Sequence, residues 1–296
     1  ASAPASAPEL RDANEVPAAA AEPQLAMRSG AVAPSLMKSA MAADLDFSAR
    51  DEVFGISVDR SAFDRVKNAI ERGERPTAVN VEALVNYFAG PQKTRREVSL
   101  ETEGSPAPVG AEGRRAILRY TIDTASAAVA NGASVPPVAS DAKIEVTFEP
   151  KIVSSHRLIG GAGETQKAEA ALLKNTSVTA LYEIELEEGL TARQKVATVR
   201  LTYHSVADGR EHTVTSTIYG RDFARPWRTA SRRHRLASLG AVWGETLKGS
   251  PSGPDVAQRA EELARQEPKD AKARELASLA TASSRLRTSA PTGSGR

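Results

Sequence analysis

The chain has 296 residues, no cysteine, and 39 basic against 37 acidic residues, a net charge of +2. The lack of cysteine excludes disulfides, thiolate metal sites, cysteine nucleophiles and a lipidated cysteine anchor. The interspersed charges offer no concentrated basic face for nucleic acid, and no run of about 18 apolar residues exists to span a bilayer.

Residues 1–45 are dominated by Ala, Ser and Pro and lack the aromatic and β-branched side chains that offset ordering entropy, so they read as a disordered arm. The start at Ala1 among small, Pro-rich residues fits a chain from which a signal peptide or membrane anchor has been removed. Within residues 46–92, Val53–Val58 reads as a short edge strand. Phe63, Val66, Ala69 and Ile70 then mark a helix from Ser61, its predicted cap, to Glu71, with Gly73 as the stop. A second helix carries Val81, Leu84, Val85 and Phe88 on one stripe and ends at Gly90-Pro91.

From Thr94 the period changes to two. Alternating, β-branched runs at 95–102, 114–123, 142–150, 151–160, 177–187, 195–205 and 212–220 predict about seven strands. Asp208-Gly209 is a strong hairpin signal between the last two. Two interruptions are predicted: a soft linker over 125–141, and a segment over 162–175 whose KAEAALLK favours a helical turn or two. The helical period returns at Pro226, with Leu236, Leu239, Val242, Trp243, Thr246 and Leu247 on a stripe ending at Gly249. Ala-rich helices follow over 255–265 and 271–285, split by Pro268, and 286–296 reads as a disordered tail. The expected fold is mainly β with α: an antiparallel β-sandwich of about seven strands over 93–225, flanked by N-terminal helices (46–92) and C-terminal helices (226–285).

Chemistry-bearing residues are sparse. Of the four histidines (His156, His204, His212, His234), His204 and His212 flank the predicted hairpin turn and can face each other across it, making the one polar site the sequence suggests; no third ligand accompanies them. His156 reads as half-buried; with Glu149 it is the other reactive candidate should the chain be an enzyme. Gly160–Glu164 has the look of a phosphate loop but lacks the Lys-Ser/Thr ending and reads as a turn. Glu185, Glu187 and Glu188 read as surface acids, and the basic cluster Arg225, Arg228, Arg232, Arg233 and Arg235 as a helical surface or a helix-entry segment. Trp227 and Trp243 read as anchors joining helix to sandwich. No catalytic, metal-binding or cofactor-binding residue is assigned, and no cofactor is expected.

Several segments resemble one family. Val58, Asp59, Ser61, Phe63, Gly73, Pro76, Val81, Glu82, Asn86, Tyr87 and Phe88 are similar to the N-terminal region of YfbK-type proteins, which contain a von Willebrand factor A domain. Residues 142–160, 177–185, 199–209 and the Trp243–Ser250 stretch resemble that family's C-terminal region, so the likeness covers roughly 53–122 and 142–280. The A domain that relatives carry between the two regions is missing. Asp123-Thr124-Ala125-Ser126-Ala127 stands at the junction without the middle and final Ser of the metal-adhesion motif, and the gap to Ala142 is too short for the domain. The resemblance therefore implies one sandwich into which the A domain is ordinarily inserted, with residues 125–141 closing a gap between adjacent strands. It implies a non-catalytic, extracytoplasmic protein-binding or scaffold protein of the bacterial cell envelope, held through a removed N-terminal segment, whose protein partner is an A-domain protein or another chain. The oligomeric state stays open. The alternatives are a hydrolase-like enzyme with an unrecognised site, or a structural envelope component.

Overall fold

The computed structural model describes residues 60–110, 114–127, 135–160, 170–250 and 253–288. Two helices, α1 (Arg60–Glu71) and α2 (Val81–Ala89), precede eight strands: β1 (Val98–Pro106), β2 (Arg115–Thr124), β3 (Pro137–Phe148), β4 (Val153–Leu158), β5 (Ala170–Leu173), β6 (Ser177–Leu186), β7 (Lys195–Ser205) and β8 (Glu211–Tyr219). Short α3 (Gly220–Phe223) and a 3-10 turn at Trp227–Thr229 lead into α4 (Arg232–Leu247), α5 (Gly253–Gln266) and α6 (Ala271–Thr288). The strands form two four-stranded antiparallel sheets, ordered β1-β2-β6-β4 and β5-β3-β7-β8.

Between the sheets lies an apolar core from Leu118, Tyr120, Ile122 and Tyr182 on one side and Ile144, Val199, Leu201 and Leu172 on the other. The fold class expected from the alternating runs is thus observed, with a third layer added. β2 is buried along nearly its whole length, on both faces. Its outward Ile117 packs with Leu181 of β6 against Val81, Val85, Ala237 and Ala241 of α2 and α4. A strand covered on both sides is worth more burial than a half-exposed one, at about 25 cal/mol per Å² of apolar surface.

Several expectations are corrected. There are eight strands, because Ala170–Leu173 pairs with β3 instead of forming a helical turn. The predicted linker ends early: residues 137–141 already belong to β3. β2 and β3 lie in different sheets, so 125–141 crosses between sheets and does not close a gap between adjacent strands. Ser61 sits inside the first turn of α1 and accepts from Arg65 Nη1 at 2.7 Å, so it is not the cap. α6 runs to Thr288, past the predicted end at 285. Residues 1–45, Val53–Val58, Gly161–Glu164 and 289–296 fall outside the described residues.

The N-terminal and C-terminal helices share one core. Phe63 stacks on Tyr87 at 3.5 Å, Phe88 meets Trp243 edge-on at 6.0 Å, and Leu236, Val256 and Leu276 complete the cluster. Trp243 Nε1 donates to Ser283 Oγ (3.1 Å) and Trp227 Nε1 to Ser238 Oγ (2.8 Å), so both tryptophans anchor helix to helix rather than helix to sandwich. The predicted stop at Gly73 is a Schellman end: its φ is +76°, Gly73 N donates to Ile70 O and Glu74 N to Ala69 O. At the β8–α3 corner, Gly220 N donates to Gln194 O, and a Cβ there would collide with the Thr191 carbonyl. Gly220→Ala should therefore lower stability by about 1–3 kcal/mol, as overpacking against backbone does, read as a fall in the urea midpoint.

Candidate functional site

Polar chemistry in the described residues concentrates at two places: the seam between the first sheet and α4, and the loop end of the sandwich. At the seam, the outward positions of β2 are polar where the helices leave room. Arg119 is fully buried; it donates to Glu101 (2.5 Å), Glu103 (3.1 Å) and Thr121 (2.6 Å). Thr121 and Thr179 share a hydrogen bond at 2.9 Å, and Thr179 N donates to Asn86 Oδ1 at 2.7 Å, tying β2 and β6 to α2. Arg233 of α4 grips Asp123 through two bonds of 2.6 and 2.7 Å and donates to Gly90 O (2.8 Å) and Ser177 Oγ (2.6 Å). The two side chains are only 8% and 5% exposed.

His234, the next residue, is completely buried. Its Nε2 lies 2.8 Å from Ser105 Oγ, whose proton goes to Pro106 O at 2.8 Å. His234 Nε2–H is therefore the donor, and Nδ1 is left without a hydrogen bond among the described residues. Burial, reinforced by the Arg119 charge, pushes its pKa down to about 3 against the opposing pull of Glu103. Burial works against ionisation of Glu103, but a proton on His234, the Ser231 hydroxyl and amide, and Arg119 outweigh it and hold the carboxyl below its usual range. A serine whose proton is committed to a carbonyl, beside a histidine that donates to it, is the reverse of an activated nucleophile.

The basic cluster enters α4 with Arg225, Arg228 and Arg232 exposed, as a helix-entry segment does, but Arg233 and Arg235 turn inward. Arg233 and Arg235 are both buried, and Arg232, Arg233 and Arg235 are paired with Asp270, Asp123 and Glu267. The acids of β6 are met in turn from neighbouring strands, Glu183 by Arg115 and Arg157 and Glu185 by Arg114 at 3.2 Å. In the first turn of α2, burial pushes Glu82 up to about 7. An open cleft of about 430 Å³ lies between Ala107–Gly110 and Asp255, Gln258 and Arg259.

The other histidines stay apart. The hairpin expected at Asp208-Gly209 is present, with Gly209 at φ +68°, but its register sets Tyr203 opposite His212 and His204 opposite Glu211. Adjacent strand residues point to opposite faces, so His204 and His212 do not face each other. His204 instead approaches Asp141 (3.6 Å), while His212 bonds Asp208 (3.0 Å) and stacks on Tyr203. His156 is exposed rather than half-buried and stacks on Phe148 at 4.4 Å, and Glu149 pairs with Lys195 at 3.6 Å. Among the described residues no group of three His, Asp or Glu side chains is arranged to hold a metal ion, and no helix is long and apolar enough to cross a membrane.

At the loop end, four connections are stitched together by backbone. Ser126 N donates to Thr94 O and Ala125 N to Glu97 O, joining the β2 exit to the α2–β1 loop. Asn175, at φ +59° in the β5–β6 turn, bonds Ala125 and Ala127, while its neighbour Lys174 N donates to Pro136 O. Val206 N donates to Val138 O, bringing in the β7–β8 hairpin. The two ends of the β2–β3 crossing therefore rest on consecutive residues of one turn. Comparison of the chain with family models and with curated proteins finds no match.

Proposed function

We propose that the chain is a non-catalytic protein-binding or scaffold protein acting outside the cytoplasm, related to the flanking regions of YfbK-type proteins and working without an A domain of its own. The observation that carries this reading is that the bonded polar cluster between sheet and helices is closed, while the exposed His156 and His204 and the half-buried His212 stand apart from one another. Ser105, His234, Arg119, Asp123 and Arg233 are sealed between sheet and helices, where no substrate reaches them; Ser105 bonds His234, Arg233 bonds Asp123, and Arg119 bonds Glu101, Glu103 and Thr121. What is presented outward is a cluster of loops on a rigid two-sheet frame, the arrangement that binding proteins use to display contact residues. The kinship is supported by the β2–β3 crossing: Ala127 and Pro136 are held by Asn175 and Lys174, so a guest domain with neighbouring termini fits between them without moving a strand.

The test is cross-linking of the full chain in the envelope fraction of its own organism, followed by mass spectrometry. A defined partner recovered in constant ratio to the bait is the expected result. An empty bait at high loading, together with hydrolysis of model ester or amide substrates that is lost on His156 or His204 substitution, would establish the enzyme reading in its place.

A further inference from the structure

We propose that the loop end of the sandwich docks an acidic polypeptide segment that also carries apolar side chains; this rests on the binding reading above and names the chemistry of the partner. Lys93, Arg95 and Arg96, on the α2–β1 loop, are exposed, and Lys174 of the β5–β6 turn is half-buried. No carboxylate among the described residues pairs with any of these four. The acids nearest in the loops are already engaged: Glu97 accepts from Ser205 Oγ at 2.7 and 2.9 Å, and Asp208 from His212 at 3.0 Å. On the outer face of the first sheet, by contrast, Arg114, Arg115 and Arg157 are each met by a glutamate. The cations of the loop end are thus left to an outside anion.

The same end holds the exposed large apolar side chains of the described residues, Leu173 (40% exposed) and Val206 (56%). They flank one strand: Leu173 is in register with Pro137, and Val206 N bonds the carbonyl of Val138, one residue on. A small apolar centre beside a basic loop is the anatomy of a protein interface, in which the charges select and orient the partner and the apolar spot is desolvated. Membrane docking fits less well. It needs an apolar face that sinks about 5–10 Å into the lipid boundary, and Leu173 and Val206 are short, with Leu173 still more covered than exposed.

The probe is a labelled peptide of about fourteen residues alternating Glu with Leu and Val, titrated with the full chain by fluorescence anisotropy, beside a control peptide with Gln for Glu. Saturable binding of the Glu peptide is expected. It should weaken about tenfold or more in the triple variant Lys93→Glu, Arg95→Glu, Arg96→Glu, and in wild type as salt rises from about 0.05 to 0.3 M, because exposed charges are screened over about 10 Å at 0.1 M. Val206→Ser should weaken it severalfold. All the substituted side chains are exposed, so unchanged melting temperatures separate surface from fold. Equal binding of the Gln peptide, or indifference to the triple charge reversal, overturns the proposal. So does binding of the chain to vesicles with about 30% anionic lipid but not to the peptide, or loss of a self-associated dimer in the triple variant, since the surface then serves a membrane or a second copy. Cross-linking separates this idea from the broader one. A partner recovered equally by wild type and triple variant overturns the loop-end surface and leaves the binding reading standing; no partner for either, with the peptide still bound by wild type, counts against the binding reading alone.

Discussion

Asp123→Ala is expected to lower the unfolding free energy by about 3–5 kcal/mol, because it leaves the Arg233 guanidinium buried without its counter-charge. Two bonds of 2.6 and 2.7 Å go to the one carboxylate, and the remaining Arg233 donors reach only Gly90 O, Ser177 and distant Gln92. Glu101, at 3.5 Å, is half-exposed and already serves Arg119. Urea denaturation should show the midpoint falling with an unchanged slope, since the surface exposed on unfolding stays the same. Replacing both partners by apolar residues, Asp123→Leu with Arg233→Met, should recover much of the loss, because the cost lies in the orphaned charge and not in a large favourable energy of the pair. A loss below about 1 kcal/mol in the single variant would mean that water reaches the guanidinium and the pair behaves as a surface salt bridge.

That pair marks where the sequence stops being legible. The period-two runs, the Gly73 and Gly249 helix stops and the Asp208-Gly209 turn are local signals whose physics is complete within a few residues, and each appears in the fold. β5 does not announce itself. Four residues of Ala and Leu have stronger helix than strand propensity, and only pairing with β3 makes them a strand. Nor does the second covered face of β2: Arg119, Thr121 and Asp123 alternate with apolar residues just as a solvent face does, and only the docking of α2 and α4 buries them.

The same limit applies to the polar seam. Arg233 and Arg235 stand in a run of arginines that reads as a solvated helix face or helix entry, and Asp123 reads as the end of an alternating strand. The sequence signal for their pairing is slight: an acid at the end of a strongly apolar strand, and arginines directly before the apolar stripe that begins at Leu236. His204 and His212 failed for a narrower reason. Their spacing fits a shared turn, but a register offset of one residue sends them to opposite faces. By contrast, the loop end was visible only as a linker, because its construction from four separate connections is a property of topology.

The pH dependence of stability should expose one buried and one half-buried group pulling in opposite directions. His234 titrates near its ordinary value of 6.5 when unfolded but only at about 3 when folded. Between those values the unfolded chain holds the extra proton, so the stability His234 contributes is complete above pH 6.5 and is lost as pH falls toward 3, at about 1.4 kcal/mol per pH unit. Glu82 has the opposite sign. Its folded pKa is raised from 4.5 to about 7, so the folded state takes up the proton first and stability from this group rises as pH falls from 7 to 4.5. Being partly exposed, it offsets only a portion of the His234 loss. Wild type should therefore show a shallow decline between pH 6.5 and 4.5, and a steeper one below, where Glu103, held under its usual range, adds a loss of the same sign as His234. Glu82→Gln should uncover the full His234 slope over the upper window, while His234→Gln should reverse it, leaving a chain that gains stability on mild acidification. Urea midpoints at half-unit intervals of pH would measure both. An Glu82→Gln profile no steeper than wild type would show that the Glu82 carboxyl is solvated, and a His234→Gln profile that still declines above pH 4.5 would place the acid-sensitive group elsewhere than in the Ser105–His234 seam.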